Sequence, residues 1–286
     1  MSAKLRTQII KDLEKTGFPL EVSILSELDK RDWMVYPGAL YKDPETSTSR
    51  EIDIHAVKVD FSYSSRTPKK STVGNSNKFI SHLVIQCRKT GKPWVFFDNG
   101  RLNWSRIPSQ NFKSEEEEFH EMLLYDVKNS GIENLKSLGL RKHRYIQALF
   151  HQSYHEAFSD PKTQSKIYES FITVTKALDY FKNHYGTARY GIHLFIPIVV
   201  LDGTLWSASI KNKKGNIPHS DKLSLKNVDG LLVKFNRLTP FSGEPLFFEE
   251  EQIIEVITRK AFRKKMAELE RDDKELYRCW TNFINL

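Results

Sequence analysis

The stretch LVIQCRKTGKPWVFF, residues 83–97, decides the fold because it predicts two strands on either side of a short turn. One apolar run ends at Gln86, Cys87 and Arg88, and a second begins after the Gly-Lys-Pro turn at 91–93. Residues i and i+2 of a strand share a face, so Gln86 and Arg88 are predicted to point the same way. Such a polar pair on a core strand is either a functional site or a solvated edge.

The composition is that of a globular protein with an excess of basic residues. The chain has 286 residues, 39% of them hydrophobic and 28% charged, and its formal net charge is +8. This length allows one large domain or two small ones, and the charge permits binding to a polyanion without requiring it. Two cysteines far apart in sequence, Cys87 and Cys279, argue against a disulfide framework and fit a reducing compartment.

The sequence predicts neither a targeting segment nor a membrane span. The N-terminal MSAKLRTQIIKDLEK lacks the long apolar region of a signal peptide, and the apolar run IHLFIPIVVL at 192–201 is about half of a membrane span. We therefore expect a soluble cytoplasmic protein with no membrane contact. Neither a G-x-x-x-x-G-K-[ST] loop nor a Rossmann glycine fingerprint occurs, so nucleotide binding is not expected.

Hydrophobic periodicity predicts an α/β fold with one mixed central β-sheet flanked by helices. The predicted helices are 3–15, 20–31, one beginning at the acidic run 115–118, 142–157, 161–183 and 249–272; the predicted strands are 33–41, 50–61, 79–87, 93–98, 192–201 and 230–238.

The predicted elements also imply a chain organisation. Helix 161–183 is a crossover that can place strand 192–201 parallel to an earlier strand, and DGTLWSASI is expected to be its hairpin partner across Asp202-Gly203. Residues 1–286 are interpreted as a single domain, with a core at about 1–100 and 160–240, a helical insertion at about 110–160 and a C-terminal helix within 249–286.

Four polar residues on neighbouring predicted elements form the candidate site. Asp53 interrupts an otherwise apolar strand, where a carboxylate is costly to bury unless it is paired or binds a metal. Gln86 and Arg88 lie on the next predicted strand, and Glu21 opens the second helix. Alternatively, Asp53 with Gln86 and Arg88 is a buried structural hydrogen-bond group, and Glu21 is an N-terminal helix charge.

In their order along the chain, GFPLE (17–21), REIDIHA (50–56) and LVIQCRKTGKPWVFF (83–97) resemble the PD-(D/E)xK nuclease superfamily. IPIVVLDGTLW (196–206) is similar to a strand pair that often continues its sheet. The resemblance implies a restriction-endonuclease-like core that hydrolyses phosphodiester bonds of DNA. It also implies a role in bacterial defence against foreign DNA, with a homodimer or a defence-system subunit as partner.

The resemblance also implies a set of site residues. A Mg²⁺ or Mn²⁺ ion would be held by Asp53, the Gln86 side-chain oxygen, the Cys87 backbone carbonyl, and Glu21 directly or through water. Gln86 stands where glutamate is commoner, although some members carry glutamine. Arg88 stands where the family has lysine, and it can hold a phosphate but cannot act as a general base because it stays protonated.

Other residues are candidates for nucleic-acid contact. His55 is predicted to share a face with Asp53, where it could assist a water or a phosphate or simply be a hydrogen-bonded strand histidine. The basic loop 62–78 joins the two site strands and could touch a duplex backbone through Tyr63, Arg66, Lys69 and Lys70. Further basic clusters at 141–144, 211–214 and 259–265 could neutralise phosphates or be solvated faces.

His151 and His155 have zinc-ligand spacing on a predicted helix, yet no third ligand is recognisable. Three hypotheses therefore remain open from the sequence. The protein is an active metal-dependent DNA endonuclease, a degenerate relative that binds DNA or a partner without cutting, or an interaction protein whose basic surface is incidental.

Overall fold

The computed structural model describes residues 3–61, 78–98, 112–113, 150–160, 165–185, 192–210, 223–240 and 247–284. In this part of the chain there are four α-helices: α1 Ala3–Leu13, α2 Phe18–Asp29, α3 Lys166–Tyr185 and α4 Phe262–Ile284. A short 3₁₀ turn, Arg259–Ala261, precedes α4. None of the described helices is long and apolar enough to cross a bilayer.

Eleven strands of the described residues join in one mixed sheet: β1 Met34–Lys42, β2 Ser49–Phe61, β3 Lys78–Lys89, β4 Trp94–Asp98, β5 Phe112–Lys113, β6 Phe150–Glu156, β7 Ile192–Asp202, β8 Leu205–Ile210, β9 Leu223–Asn227, β10 Gly230–Pro240 and β11 Phe247–Thr258. Their order is β1-β2-β3-β7-β11-β10-β6-β4-β8-β9, and β5 pairs with β7. The predicted mixed α/β sheet is confirmed.

The first half of the sheet contains the crossover that the sequence predicts. Strands β1, β2 and β3 are antiparallel neighbours. Strand β7 then runs parallel to β3 over its whole length, from Ile192 beside Phe79 to Asp202 beside Lys89. The predicted crossover is confirmed, because α3 separates two parallel strands and parallel pairs need such a connection.

The sheet is covered on both faces by apolar residues. Helix α2 buries Leu20, Ile24 and Leu28, spaced four residues apart, against one face. Helix α3 packs on the opposite face, where Phe171, Val174 and Leu178 belong to a second buried cluster. The core strands β3, β7 and β11 are therefore apolar on both sides, as is usual for parallel strands.

A buried ion pair fixes α3 against the first two strands. Lys176 of α3 lies 3.1 Å from the carboxylate of Asp43 in the β1–β2 turn, and the Asp43 side chain is fully buried. Two backbone N–H groups of the turn also donate to Asp43, from Glu45 at 2.9 Å and Thr46 at 3.2 Å. Although burial alone raises a carboxyl pKa, these hydrogen bonds and the charge of Lys176 hold the pKa of Asp43 below its usual range.

The predicted hairpin across Asp202-Gly203 is wrong. Strand β8 pairs with β4 and β9 and not with β7. Both edges of β7 are already occupied, by β3 along its length and by β11 at its carboxyl end. Turn chemistry at one dipeptide cannot supply a pairing edge that other strands already fill.

Two predicted helices contain strands instead. Within the predicted helix 142–157 and insertion 110–160, residues 150–156 form β6, which pairs with β4 and β10. Within the predicted helix 249–272, residues 247–258 form β11, and α4 begins only at Phe262. The run IIEVIT is buried between β7 and β10, where β-branched residues pack well, and this outweighs the helix propensity of the preceding glutamates.

Candidate active site

The candidate site lies where the pairing of β2 with β3 ends. The ladder runs from Phe61 beside Lys78 to Ile54 beside Ile85 and goes no further. The Asp53 side chain takes over at this point: its Oδ2 accepts a hydrogen bond from the Cys87 backbone N–H at 2.6 Å and a second from the Gln86 amide. The Asp53 carboxylate therefore accepts the backbone hydrogen bond of Cys87 at the point where β3 no longer pairs with the backbone of β2.

The β1–β2 ribbon is twisted at Asp53. Ile52 and Ile54 would share one face in a regular strand, yet Ile52 packs in the cluster under α3 and Ile54 in the cluster under α2. Gly38, in the middle of the facing strand β1, has a φ of +58°, in the left-handed region that favours glycine. This local twist turns the Asp53 carboxylate towards the β3 edge.

The backbone of Cys87 faces the same space as Asp53. Its N–H donates to Asp53, and the N–H and C=O of one strand residue point to the same side, so the carbonyl oxygen also faces Asp53. The Cys87 side chain is buried among core residues, and burial raises the pKa of its thiol. The backbone of Cys87 is thus the part available to a ligand, and the uncharged thiol belongs to the core.

Carboxylates crowd around Asp53. Glu21 lies in the first turn of α2, and burial, followed by the charge of Glu51, raises its pKa. Burial likewise raises the pKa of Asp53 to about 6, and the charges of Glu21 and Glu51 add to the rise. The Cys87 N–H and the charge of Arg88 act in the opposite direction. The three carboxylates therefore act on one another electrostatically and would be stabilised by a cation.

Arg88 is the cation on the Asp53 side of β3. Its Nε donates to Ser170 Oγ of α3 at 2.8 Å, and its charge opposes the rise in pKa that burial causes in both Asp53 and Glu21. Lys89 points elsewhere and donates to the Glu14 carbonyl just after α1, as the alternation of a strand predicts.

His55 is not at the surface, so its predicted contact with nucleic acid does not fit the structure. Its side chain is 2% exposed and stacks on Phe181 of α3 with ring centroids 4.1 Å apart. His55 Nε2 lies 3.2 Å from His82 Nδ1, and His82 Nε2 lies 2.9 Å from His193 Nδ1. The three rings form a buried chain across β2, β3 and β7, and burial lowers the pKa of all three. His55 is therefore a hydrogen-bonded histidine of the core, the second of the two roles that the sequence allowed.

Only some of the other residues singled out in the sequence lie in the part of the chain that the structure describes. Tyr63, Arg66, Lys69 and Lys70 lie outside the described residues, as do the basic clusters at 141–144 and 211–214 and the acidic run at 115–118. The cluster at 259–265 is described and leads into α4. His151 and His155 lie on strand β6 and not on a helix, where His151 is buried beside Ser207 and His155 is exposed.

Three residues that shape the site escaped the sequence interpretation. Glu51 lies two residues from Asp53 in REID, and this spacing was a signal that could have suggested its electrostatic effect. Gly38 follows a proline in an otherwise regular strand, which could have suggested a twist. Ser170 carries no sequence signal, because only the packing of α3 on the sheet brings it to Arg88.

The donor set suits a hard divalent cation. Two carboxylates, of Asp53 and Glu21, and the Cys87 carbonyl are oxygen ligands of the kind that Mg²⁺ and Mn²⁺ prefer. Gln86 directs its NH₂ group at Asp53, so its oxygen would become a ligand only after the amide rotates. Across the described ranges, no group of three or more His, Cys, Asp or Glu side chains is arranged to hold a metal. Any ion here would therefore rely on backbone oxygen, the glutamine and water.

Comparisons with known proteins are negative: no family model matches the chain, and neither a curated protein nor a solved structure does.

Proposed function

We propose that this protein is a metal-dependent nuclease that hydrolyses phosphodiester bonds of DNA at Asp53. The observation that carries the proposal is the convergence of Glu21, Asp53, Gln86 and Arg88 at the end of the β2–β3 ladder. Asp53 accepts hydrogen bonds from Gln86 and the Cys87 backbone, while the charges of Glu21 and Arg88 act on it. These residues come from α2, β2 and β3, which are distant in sequence.

The order of the surrounding elements supports the proposal. A helix with Glu21, three antiparallel strands with Asp53 and the Gln-x-Arg pair, a crossover helix and a parallel strand follow one another in space. The helix glutamate, the strand aspartate and the polar pair on the next strand thus come in the order of the resembled family. The carboxyl end of β3 then presents the polar residues together at one edge of the sheet.

Each residue has a chemical task in this proposal. Asp53 and Glu21, with the Cys87 carbonyl and the Gln86 oxygen, would hold Mg²⁺ or Mn²⁺, which when bound supplies charge neutralisation and an acidic water. Arg88 binds the scissile phosphate and stabilises the negative charge that develops on it. Because arginine stays protonated, Arg88 takes no proton from the attacking water.

The decisive experiment measures cleavage in the presence of two different metals. Purified protein is incubated with plasmid DNA, linear DNA and RNA, each with Mg²⁺ and with Mn²⁺, beside Asp53→Ala. The matched control is Asp229→Ala, which removes a carboxylate that pairs at 3.0 Å with the exposed Lys260. We expect metal-dependent DNA cleavage by the wild type and the control and none by Asp53→Ala; cleavage that survives Asp53→Ala contradicts the proposal.

A second candidate function rests on the Gln86 amide. In its present orientation this group gives Asp53 an N–H donor in place of a ligand oxygen, and Arg88 lacks the proton chemistry of lysine. Both features favour a degenerate site that binds DNA or a partner chain without cutting. DNA binding by the wild type, with no cleavage in either metal, would select this candidate.

A further inference from the structure

Arg88 is held from one side only, by an uncharged group. Its Nε donates to Ser170 Oγ at 2.8 Å, and the Ser170 hydroxyl donates its own proton to the Lys166 carbonyl one helical turn earlier, at 2.6 Å. The proton of the hydroxyl is therefore committed to the helix, and its lone pairs face Arg88. Ser170 is fully buried, so this geometry is shielded from water.

The terminal amino groups of Arg88 remain available. Within the described ranges, the bond to Ser170 is the one hydrogen bond that Arg88 makes, and it uses one of five N–H donors. Arg31 shows the contrasting arrangement of a structural arginine. It donates Nε to Glu27 at 3.0 Å, Nη1 to Glu270 at 3.0 Å and Nη2 to the Arg263 carbonyl at 2.8 Å.

A neutral partner orients the guanidinium without neutralising it. A carboxylate in place of Ser170 would bind Arg88 as an ion pair and compete with an incoming anion. Ser170 restricts the side chain while leaving its positive charge to act on Asp53 and Glu21. Burial raises the pKa of both carboxyls, and the charge of Arg88 opposes that rise. Arginine is also required for this contact, because a lysine at the same position has no equivalent of the Nε–H donor.

We propose that Ser170 is a positioning residue that holds Arg88 so that its two terminal amino groups bind the phosphate of a nucleic-acid backbone at Asp53. The inference rests on the proposed function and adds to it a residue from α3. It also accounts for arginine at the position where the resembled family has lysine. The Nη groups present the bidentate geometry that matches two phosphate oxygens.

The test is a double-mutant cycle between Ser170 and Arg88, with Ser170→Ala, Arg88→Ala and the double variant. Thr173→Ala is the matched control, because Thr173 makes the same hydroxyl bond to the carbonyl four residues earlier, at 2.8 Å, without touching Arg88. Binding of a labelled DNA duplex is measured by anisotropy at several salt concentrations, with Ca²⁺ in place of Mg²⁺. Cleavage rates in Mg²⁺ and thermal midpoints are recorded for every variant.

We expect Ser170→Ala to weaken DNA binding or slow cleavage about tenfold while leaving the salt dependence unchanged, because the charge of Arg88 remains. Arg88→Ala should lower DNA affinity or the cleavage rate by more than Ser170→Ala does. It should also reduce by about one the slope of log affinity against log salt concentration. In the Arg88→Ala background, removing the Ser170 hydroxyl should have no further effect on binding or cleavage. Thr173→Ala should behave like the wild type.

Two failures can be told apart. If the wild type binds and cuts DNA but Ser170→Ala matches it, or if the hydroxyl matters equally without Arg88, the positioning role is wrong and the proposed function stands. If the wild type neither binds nor cuts DNA, the proposed function is wrong and this inference falls with it.

Discussion

Replacing Asp53 by asparagine should make the protein more stable at neutral pH while abolishing its proposed activity. Burial raises the pKa of Asp53 from 3.8 to about 6, so the folded protein disfavours the ionised carboxylate. At 1.36 kcal/mol for each pKa unit, the ionised form costs about 3 kcal/mol of folding free energy above pH 7. Asparagine avoids this cost, and its Oδ1 can still accept the hydrogen bonds from Gln86 and Cys87.

The stability that Asp53→Asn gains over the wild type should increase with pH. Below pH 3.8 the carboxyl is protonated in both the folded and the unfolded chain, so Asp53 adds no penalty there. Between pH 3.8 and about 6 the unfolded chain has lost a proton that the folded protein still holds, so the penalty grows across this range and is complete above it. The stability difference between Asp53→Asn and the wild type should therefore be small at pH 4.5 and largest above pH 7. After allowance for partial solvation of the site, we expect about 1–2 kcal/mol at pH 8.

Urea denaturation of both proteins at pH 4.5, 6 and 8 measures this difference directly. Asp43→Asn is the control with the opposite sign, because the pKa of Asp43 is lowered and its carboxylate forms a buried ion pair with Lys176. That variant should lose about 3 kcal/mol, the usual cost of breaking a buried pair. An Asp53→Asn protein that is no more stable than the wild type at pH 8, or whose gain does not shrink at pH 4.5, would refute the assignment of Asp53 as a strained, buried carboxylate.

Three further outcomes follow from the same geometry. Gly38→Ala should destabilise the protein by about 1–2 kcal/mol in urea, because its φ is +58° and the added Cβ would lie 2.9 Å from the carboxylate of Glu51. Gly91→Ala, whose Cβ meets nothing within 4 Å, should change stability by less than about 0.5 kcal/mol, and equal losses in the two variants would contradict this. The double variant Arg88→Lys with Gln86→Glu should bind Mn²⁺ more tightly in calorimetry and cut faster if the site is a decayed one, and no gain in either would count against decay. Burial lowers the pKa of His82 well below 6.5, so its neutral form contributes stability above pH 6.5 that is lost as pH falls; the stability of the wild type relative to His82→Phe should fall between pH 7.5 and pH 5, and a constant difference would show that this histidine is not held neutral.

Hydrophobic periodicity predicted the secondary structure correctly where the residues of one short segment are enough to specify it. Alternation in REIDIHAVKVDF and the apolar run before Gln86 predicted β2 and β3, and apolar spacing predicted α2 and most of α3. They failed where neighbours supply the decisive hydrogen bonds. Residues 150–156 and 247–258 are strands because they fill gaps between other strands, although histidine spacing and glutamate content favoured helices.

The sequence by itself determined which residues could carry the chemistry of the candidate site. The carboxylate at position 53 in an apolar strand, the Gln-x-Arg pair on the next strand and the glutamate opening α2 are all visible in the order of residues. Only the tertiary structure decided how they are used. It brings Asp53 to the Cys87 N–H, buries His55 against Phe181 of α3 and places Ser170 against Arg88. These contacts join residues that are far apart in sequence, by 34 positions for Asp53 and Cys87 and by 82 for Arg88 and Ser170. Side-chain periodicity specifies the face of each element, but only packing specifies which faces meet.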